Sequence, residues 1–237
     1  MGNFNENIQS VREIRGNVPK YMLQVREEFR EKKARLQENQ LLTYQGKQVE
    51  EQKLKEQYEK IFLGNMLKAD EMINTLLDES ENEAQKVLTA ALPPVDETQQ
   101  KLFDKTLKGA EGKITFALND NQAMGALEEL VQAASEPALA EQAKEKFLPL
   151  AQAVLAQVVG NDKAAIKYRL NSMYQELDGR AQVEGADEAR GQLETINGLK
   201  GAWYVTGYVQ DMLKEISMNA YEYVNNPKAY FDKKAQA

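Results

Sequence analysis

No stretch of this chain alternates β-branched and polar residues between tight turns, and no Asn-Gly pair sits between two such alternations. Without that period-two pattern a sheet has no apolar face to bury, so the core must come from helices. Ala, Gln, Glu, Lys and Leu dominate, all good helix formers. The expected fold class is all-α: a single elongated helical domain over residues 1–237 with long terminal helices. The pattern also accommodates two stacked four-helix-type modules with a soft boundary near 93–96, where Pro93-Pro94 stops one helix and Asp96 starts another. With 237 residues, 42% of them hydrophobic, the chain can bury a substantial core.

The helical stripes can be followed along the chain. Phe4, Ile8, Val11 and Ile14 make a first short stripe, which Gly16-Asn17-Val18-Pro19 is expected to interrupt, with Asn17 capping the next helix and Pro19 in its first turn. From there one helix, punctuated only by Gly46, is predicted over residues 19–62, carried by Met22, Val25, Phe29, Leu36, Leu41/Leu42, Val49, Leu54 and Tyr58. A helix of that length spans roughly 60 Å, too long for a small globular domain, so it reads as a bundle rod or coiled-coil arm. Gly64-Asn65 is a predicted joint. Asp96 with Gln99 has the spacing of a capping box. Ser135 before Pro137 is a predicted cap, Pro149 is expected to kink or divide its helix, and a last long helix is expected over roughly 187–224.

Composition removes whole classes of chemistry. There is no cysteine and no histidine, which excludes disulfide scaffolds, Cys/His zinc sites, haem ligation and Ser-His or Cys-His nucleophile pairs. None of the five serines has a lysine three residues later, so the Ser-x-x-Lys arrangement is missing too. Residues 108–115, KGAEGKIT, resemble a phosphate loop, but its first glycine would fall at Leu107 and no strand precedes it. Asn119-Asp120-Asn121 supplies only the start of a calcium loop and reads as a turn between helices. No metal, no cofactor and no enzymatic activity are expected. A net charge of -7 opposes nucleic-acid binding. No apolar stretch is long enough to cross a bilayer, and the polar residues 1–10 carry no signal-peptide core.

Aromatic residues are unevenly spread: Trp203, Tyr204, Tyr208, Tyr221, Tyr223, Tyr230 and Phe231 crowd the end of the chain, with Gly198, Gly201 and Gly207 at spacings that could bring a neighbouring helix close. One reading is a tightly packed core with hydroxyls at its rim. Another is an amphipathic pocket in which Tyr174, Trp203, Tyr204 and Tyr208 line the walls and Arg169, Arg180 or Arg190 holds a ligand carboxylate. A third is a partner interface.

The opening Phe4-Asn5-Glu6-Asn7-Ile8, with Val11, Arg15, Val18 and Pro19, resembles the segment just outside the first membrane span of bacterial chemoreceptors and sensor kinases. Residues 215–223, EISMNAYEY, with Pro227 and Tyr230, resemble a recurrent piece of their two-module helical sensor domains. This resemblance implies an excised ectodomain on the periplasmic side of the inner membrane. It would bind a small-molecule ligand, dimerise through the long N-terminal helix, and touch the membrane only through spans absent from this chain. The rival expectation is a cytoplasmic or virion-associated structural or scaffolding protein, such as a bacteriophage component. That protein would assemble through the N-terminal arm and bind no specific small ligand.

Overall fold

The computed structural model describes residues 3–158, 163–202, 204–205 and 207–236. Among them the fold is all-α, without a strand. The chain divides into two compact units, one formed by Met1–Gln85 with Arg190–Ala237 and the other by Lys86–Ala189.

The first unit is organised by two long helices, α1 (Phe4–Glu38) and α2 (Tyr44–Leu88). They run antiparallel. As positions rise along α1 they fall along α2: Asn7 bonds Ser80, Tyr21 receives a bond from Asn65, Phe29 meets Tyr58 edge-on, and Lys33 pairs with Glu51. The expected break at residues 16–19 is absent, since α1 passes through Gly16 and Pro19 without interruption. The reason is tertiary. Ile8, Val11, Val18, Met22, Val25 and Phe29 form one buried stripe, and packing that stripe outweighs the local cost of an internal proline. Gly64-Asn65 likewise lies inside α2.

The predicted helix over residues 19–62 is instead a hairpin. Residues 39–43 separate α1 from α2, and the turn is built by side chains. Asn39 Oδ1 accepts from the Leu41 amide at 2.9 Å, and Thr43 Oγ1 accepts from the Gly46 amide at 3.1 Å. These are the local bonds by which Asn and Thr compete with a continuing helix.

The remainder of this unit covers one face of the hairpin. The expected long helix over 187–224 is broken into α7 (Ala186–Lys200), whose first four residues fall on the other side of the division, α8 (Gly207–Asp211), a 3₁₀ turn (Met212–Glu215) and α9 (Met218–Tyr223). The final α10 (Pro227–Ala235) follows. Gly207 has a φ of +55°, which only glycine adopts easily, and Ser217 caps α9 by accepting from the Ala220 amide. Asn225 clamps the segment between α7 and α8: its Oδ1 accepts from the Tyr204 and Val205 amides and its Nδ2 donates to the Val205 carbonyl. The glycines do not serve close helix packing, because a Cβ at Gly198, Gly201 or Gly207 would meet nothing within 4 Å.

Two apolar clusters hold this unit. One joins Val18, Met22, Phe29, Tyr58, Phe62 and Met66 to Leu213, Ile216, Val224 and Tyr230, and the other joins Ile8, Val11, Ile73, Leu77 and Ile196. Glu215 adds an electrostatic tie to α1, with Arg26 Nε at 3.1 Å and Arg30 Nε at 2.6 Å.

The second unit is a four-helix bundle of α3 (Glu97–Thr115), α4 (Asp120–Ala133), α5 (Pro137–Gln157) and α6 (Lys163–Arg180) around one core. Asp96 caps α3 as its spacing predicts, accepting from the Thr98 and Gln99 amides. The residue before Pro137 in the cap position is Glu136, not Ser135, and it makes no side-chain cap bond. Pro149 lies inside α5 without dividing it, because Phe147, Ala151 and Val154 keep the buried stripe continuous.

Two outcomes follow from this packing. Phe62 is fully buried between α1 and α2, so Phe62→Ala should lower stability by about 3–5 kcal/mol in urea unfolding. The second concerns Glu215, whose carboxylate is held below its usual range first by the hydrogen bond from Arg30 and then by the charges of Arg30 and Arg26, against the opposing effect of burial. A depressed folded-state value stabilises the fold above the unfolded value, about 4.3, and that contribution vanishes as pH falls through the folded one. Glu215→Gln should therefore melt below wild type at pH 7, with the gap closing as pH drops below about 4; a gap independent of pH would show that the charge contributes nothing.

Candidate functional site

Past Phe29 in α1 and before Tyr58 in α2 no side chain is buried. The distal part of the hairpin is therefore held by polar bonds rather than a core. Lys33 and Lys55 both pair with Glu51, at 2.8 and 3.2 Å, and Gln37 Nε2 donates to the same carboxylate at 3.0 Å. The Lys33 hydrogen bond, followed by that of Lys55, keeps the Glu51 carboxyl below the usual carboxylate range despite partial burial. Lys47 closes the end by donating to the Gln37 carbonyl.

The tip beyond this polar ladder is apolar. Leu41 is 94% exposed and Tyr44 is 77% exposed, with Val49 one turn further along α2 at 54%. It is also basic. From the Phe29–Tyr58 level out to the turn, residues 30–57 carry seven Lys/Arg against five Glu, a net +2 within the chain total of -7, and of these cations Arg30 and Lys33 are already paired with Glu215 and Glu51. Leu41 and Leu42 read in sequence as part of a continuous helical stripe, and so their place at a tip is lost. The available signal was Asn39 and Thr43, a stop and a start residue bracketing them.

The residues expected to form a ligand pocket fall in both units. Arg169, Tyr174 and Arg180 belong to α6 in the second unit. Arg169 pairs with Glu128 beside a groove of about 300 Å³ that Tyr168, Met173 and Glu176 also line. Tyr174 packs on Phe147, ring centroids 5.8 Å apart, and borders a different cavity with Leu148 and Lys167. Arg180 closes the C-terminal end of α4: its Nη1 donates to the Val131 carbonyl at 2.8 Å and the Ala134 carbonyl at 3.4 Å, while Nη2 bonds Glu176.

In the first unit Arg190 is exposed on α7 and Tyr208 is 75% exposed on α8, while Trp203 lies outside the described residues. Tyr204 is half-buried. Its hydroxyl donates to Asp70, its ring lies 5.5 Å from the Arg15 guanidinium, and burial followed by the Asp70 acceptor pushes its phenol above the ordinary value. Tyr204, Tyr221, Tyr223 and Phe231 pack against the first unit's core and Tyr230 is within it.

A small cavity of about 240 Å³ in the first unit is lined by Asn219, Tyr223, Tyr230, Lys233 and Lys234. Beside it the buried Glu59 accepts from Tyr230 Oη at 2.6 Å and from Asn219 Nδ2 at 3.1 Å. Lys233 and Lys234 lie over the Tyr223 and Tyr230 rings at 5.8 and 5.6 Å. Among the described residues no group of three or more acidic side chains is arranged to hold a metal ion, and no helix is long and apolar enough to cross a membrane. Comparison with protein-family models, with curated proteins and with solved structures gives no match.

Proposed function

We propose that this chain is a non-enzymatic structural protein that assembles through the α1–α2 hairpin, as components of a virion or a comparable large assembly do. One observation carries the reading: a two-helix arm ends in uncovered Leu41 and Tyr44 set among basic side chains. Full burial of a large apolar side chain contributes roughly 1.5–3 kcal/mol, so two such residues offset part of the cost of association. That magnitude suits many weak, repeated contacts better than one tight dimer. The arginines expected to hold a ligand support the same direction, since Arg169 and Arg180 already have carboxylate partners within the chain.

Sedimentation velocity tests this. Wild-type mass should rise with concentration through the micromolar range, and Leu41→Asp with Tyr44→Asp should remain monomeric at helix content equal to wild type. A wild-type chain that stays monomeric throughout would overturn the reading.

A second reading, small-molecule sensing, is favoured by the cavity beside Glu59. Two ammonium groups beside tyrosine rings suit a small aromatic or aliphatic carboxylate. On this reading a carboxylate at a hundred times its dissociation constant stabilises the protein by about 2.7 kcal/mol, and Lys233→Ala with Lys234→Ala abolishes the thermal shift. A flat response across a carboxylate panel removes it.

A further inference from the structure

We infer that the hairpin tip docks on an acidic stripe of α2 in a second copy of the chain, a conclusion that rests on the assembly reading above and names its partner surface. Between positions 69 and 85, α2 carries Asp70, Glu71, Asp78, Glu79, Glu81 and Glu83 and no basic residue. Three of these have partners within the fold. Lys200 bonds Asp78 at 2.8 Å and Glu81 at 2.6 Å, and Asp70 accepts from the Tyr204 hydroxyl. Glu71, Glu79 and Glu83 remain exposed and without an ion pair among the described residues.

Those three share an outward face. Glu71, Met72, Thr75, Glu79 and Glu83 recur at three- and four-residue spacing, and all are exposed. Met72, at 58% exposure, places a flexible apolar side chain within the acidic stripe. The stripe thus offers what the tip lacks: negative charge around an apolar contact, opposite the tip's positive charge around Leu41 and Tyr44.

The sign of the charges selects this pairing. Tip against tip brings net positive ends together, and stripe against stripe brings carboxylates together, so both like-on-like arrangements are repulsive. Tip against stripe is attractive. It cannot occur within one chain, because Lys47 and Thr75 lie on the same continuous helix, roughly 40 Å apart at 1.5 Å per residue. Two copies set antiparallel place each tip on the other's stripe and close as a two-fold pair; where only one such contact forms at a time, the free tip and free stripe lead to rings or filaments.

Charge reversal tests the pairing. Lys32→Glu with Arg35→Glu alters the tip and Glu79→Lys with Glu83→Lys alters the stripe, all at exposed positions where circular dichroism should match wild type. Each variant alone should need at least tenfold higher concentration than wild type to assemble, and mixing the two should restore assembly because each then meets its opposite. Salt should weaken wild-type assembly, since exposed charges are screened beyond about 10 Å at 0.1 M. If wild type assembles but the reversals have no effect, or the mixture fails to recover, the stripe is not the partner and only the broader assembly reading stands. If wild type remains monomeric, that broader reading falls, and this one with it. Flotation of the monomer with vesicles rich in anionic lipid would assign the tip to a membrane surface and overturn the pairing.

Discussion

The register between α1 and α2 is fixed by one buried polar contact, and the first unit is arranged around it. Asn7 Nδ2 donates to Ser80 Oγ at 3.1 Å, and Ser80 in turn donates to the Leu76 carbonyl at 2.9 Å. Ser80 is fully buried and Asn7 nearly so. Sliding one helix along the other would strand the Asn7 amide in an apolar setting, a cost of about 1–3 kcal/mol, while Ser80 would keep its bond to Leu76 within α2. Apolar contacts alone would tolerate such a slip more readily, since Phe, Met and Leu can repack. A polar pair at one point therefore selects the register in which Tyr21 stacks on Phe62 and Phe29 meets Tyr58. The same register places Lys33 and Gln37 opposite Glu51, which completes the hairpin up to its turn.

The two units use different residues to solve the same packing problem. In the first, rings and long side chains fill the space between α1 and α2, with Phe29, Phe62, Met22 and Met66 essentially inaccessible. Large side chains hold helix axes toward the upper end of the usual 8–10 Å spacing. In the second, the core includes Ala110, Ala123, Ala126, Ala134, Ala140 and Ala143, and small side chains let helices approach closely. Arg180 contributes there by giving the last carbonyls of α4 a cationic partner, a favourable position at the negative end of a helix dipole. A residue that sequence alone offers as a ligand anchor is in this setting a helix cap.

Much of this was legible in the sequence, and the rest was hidden for physical reasons. The all-α class follows from periodicity, and the cap at Asp96 follows from chemistry local to four residues. Proline misled at residue 19, and Pro149 does not divide its helix, because in both places the buried stripe continues on either side and so outweighs a local breaker. The turn at residues 39–43 misled in the opposite sense. Leu41 and Leu42 continue the helical period, and only the side-chain bonds of Asn39 and Thr43 reveal that the chain reverses there. The broken segment after α7 depends on Asn225, some twenty residues away from the amides it receives, a contact no local pattern encodes. Of the proposed ligand residues, sequence could place Tyr204 among aromatics but could not show that its hydroxyl is committed to Asp70.

Part of the charge along the hairpin is used by its own fold, through Lys33 and Lys55 on Glu51 and Arg26 and Arg30 on Glu215, and part is not. Arg35 in the last turn of α1 suits that helix's dipole, but the first turn of α2 has no acidic residue and Lys47 follows closely. A tip arranged only to close two helices would place small or polar residues in the turn and carboxylates at the start of α2. Leu41 contributes nothing to either apolar cluster, so a polar residue there would leave the fold unchanged. On the proposed assembly, the exposed apolar pair is the part of the tip that a partner surface would cover. Along α2 the charge passes from balanced over residues 44–60, four lysines against four glutamates, to six carboxylates and no cation over 69–85, so the helix is electrostatically uneven from end to end.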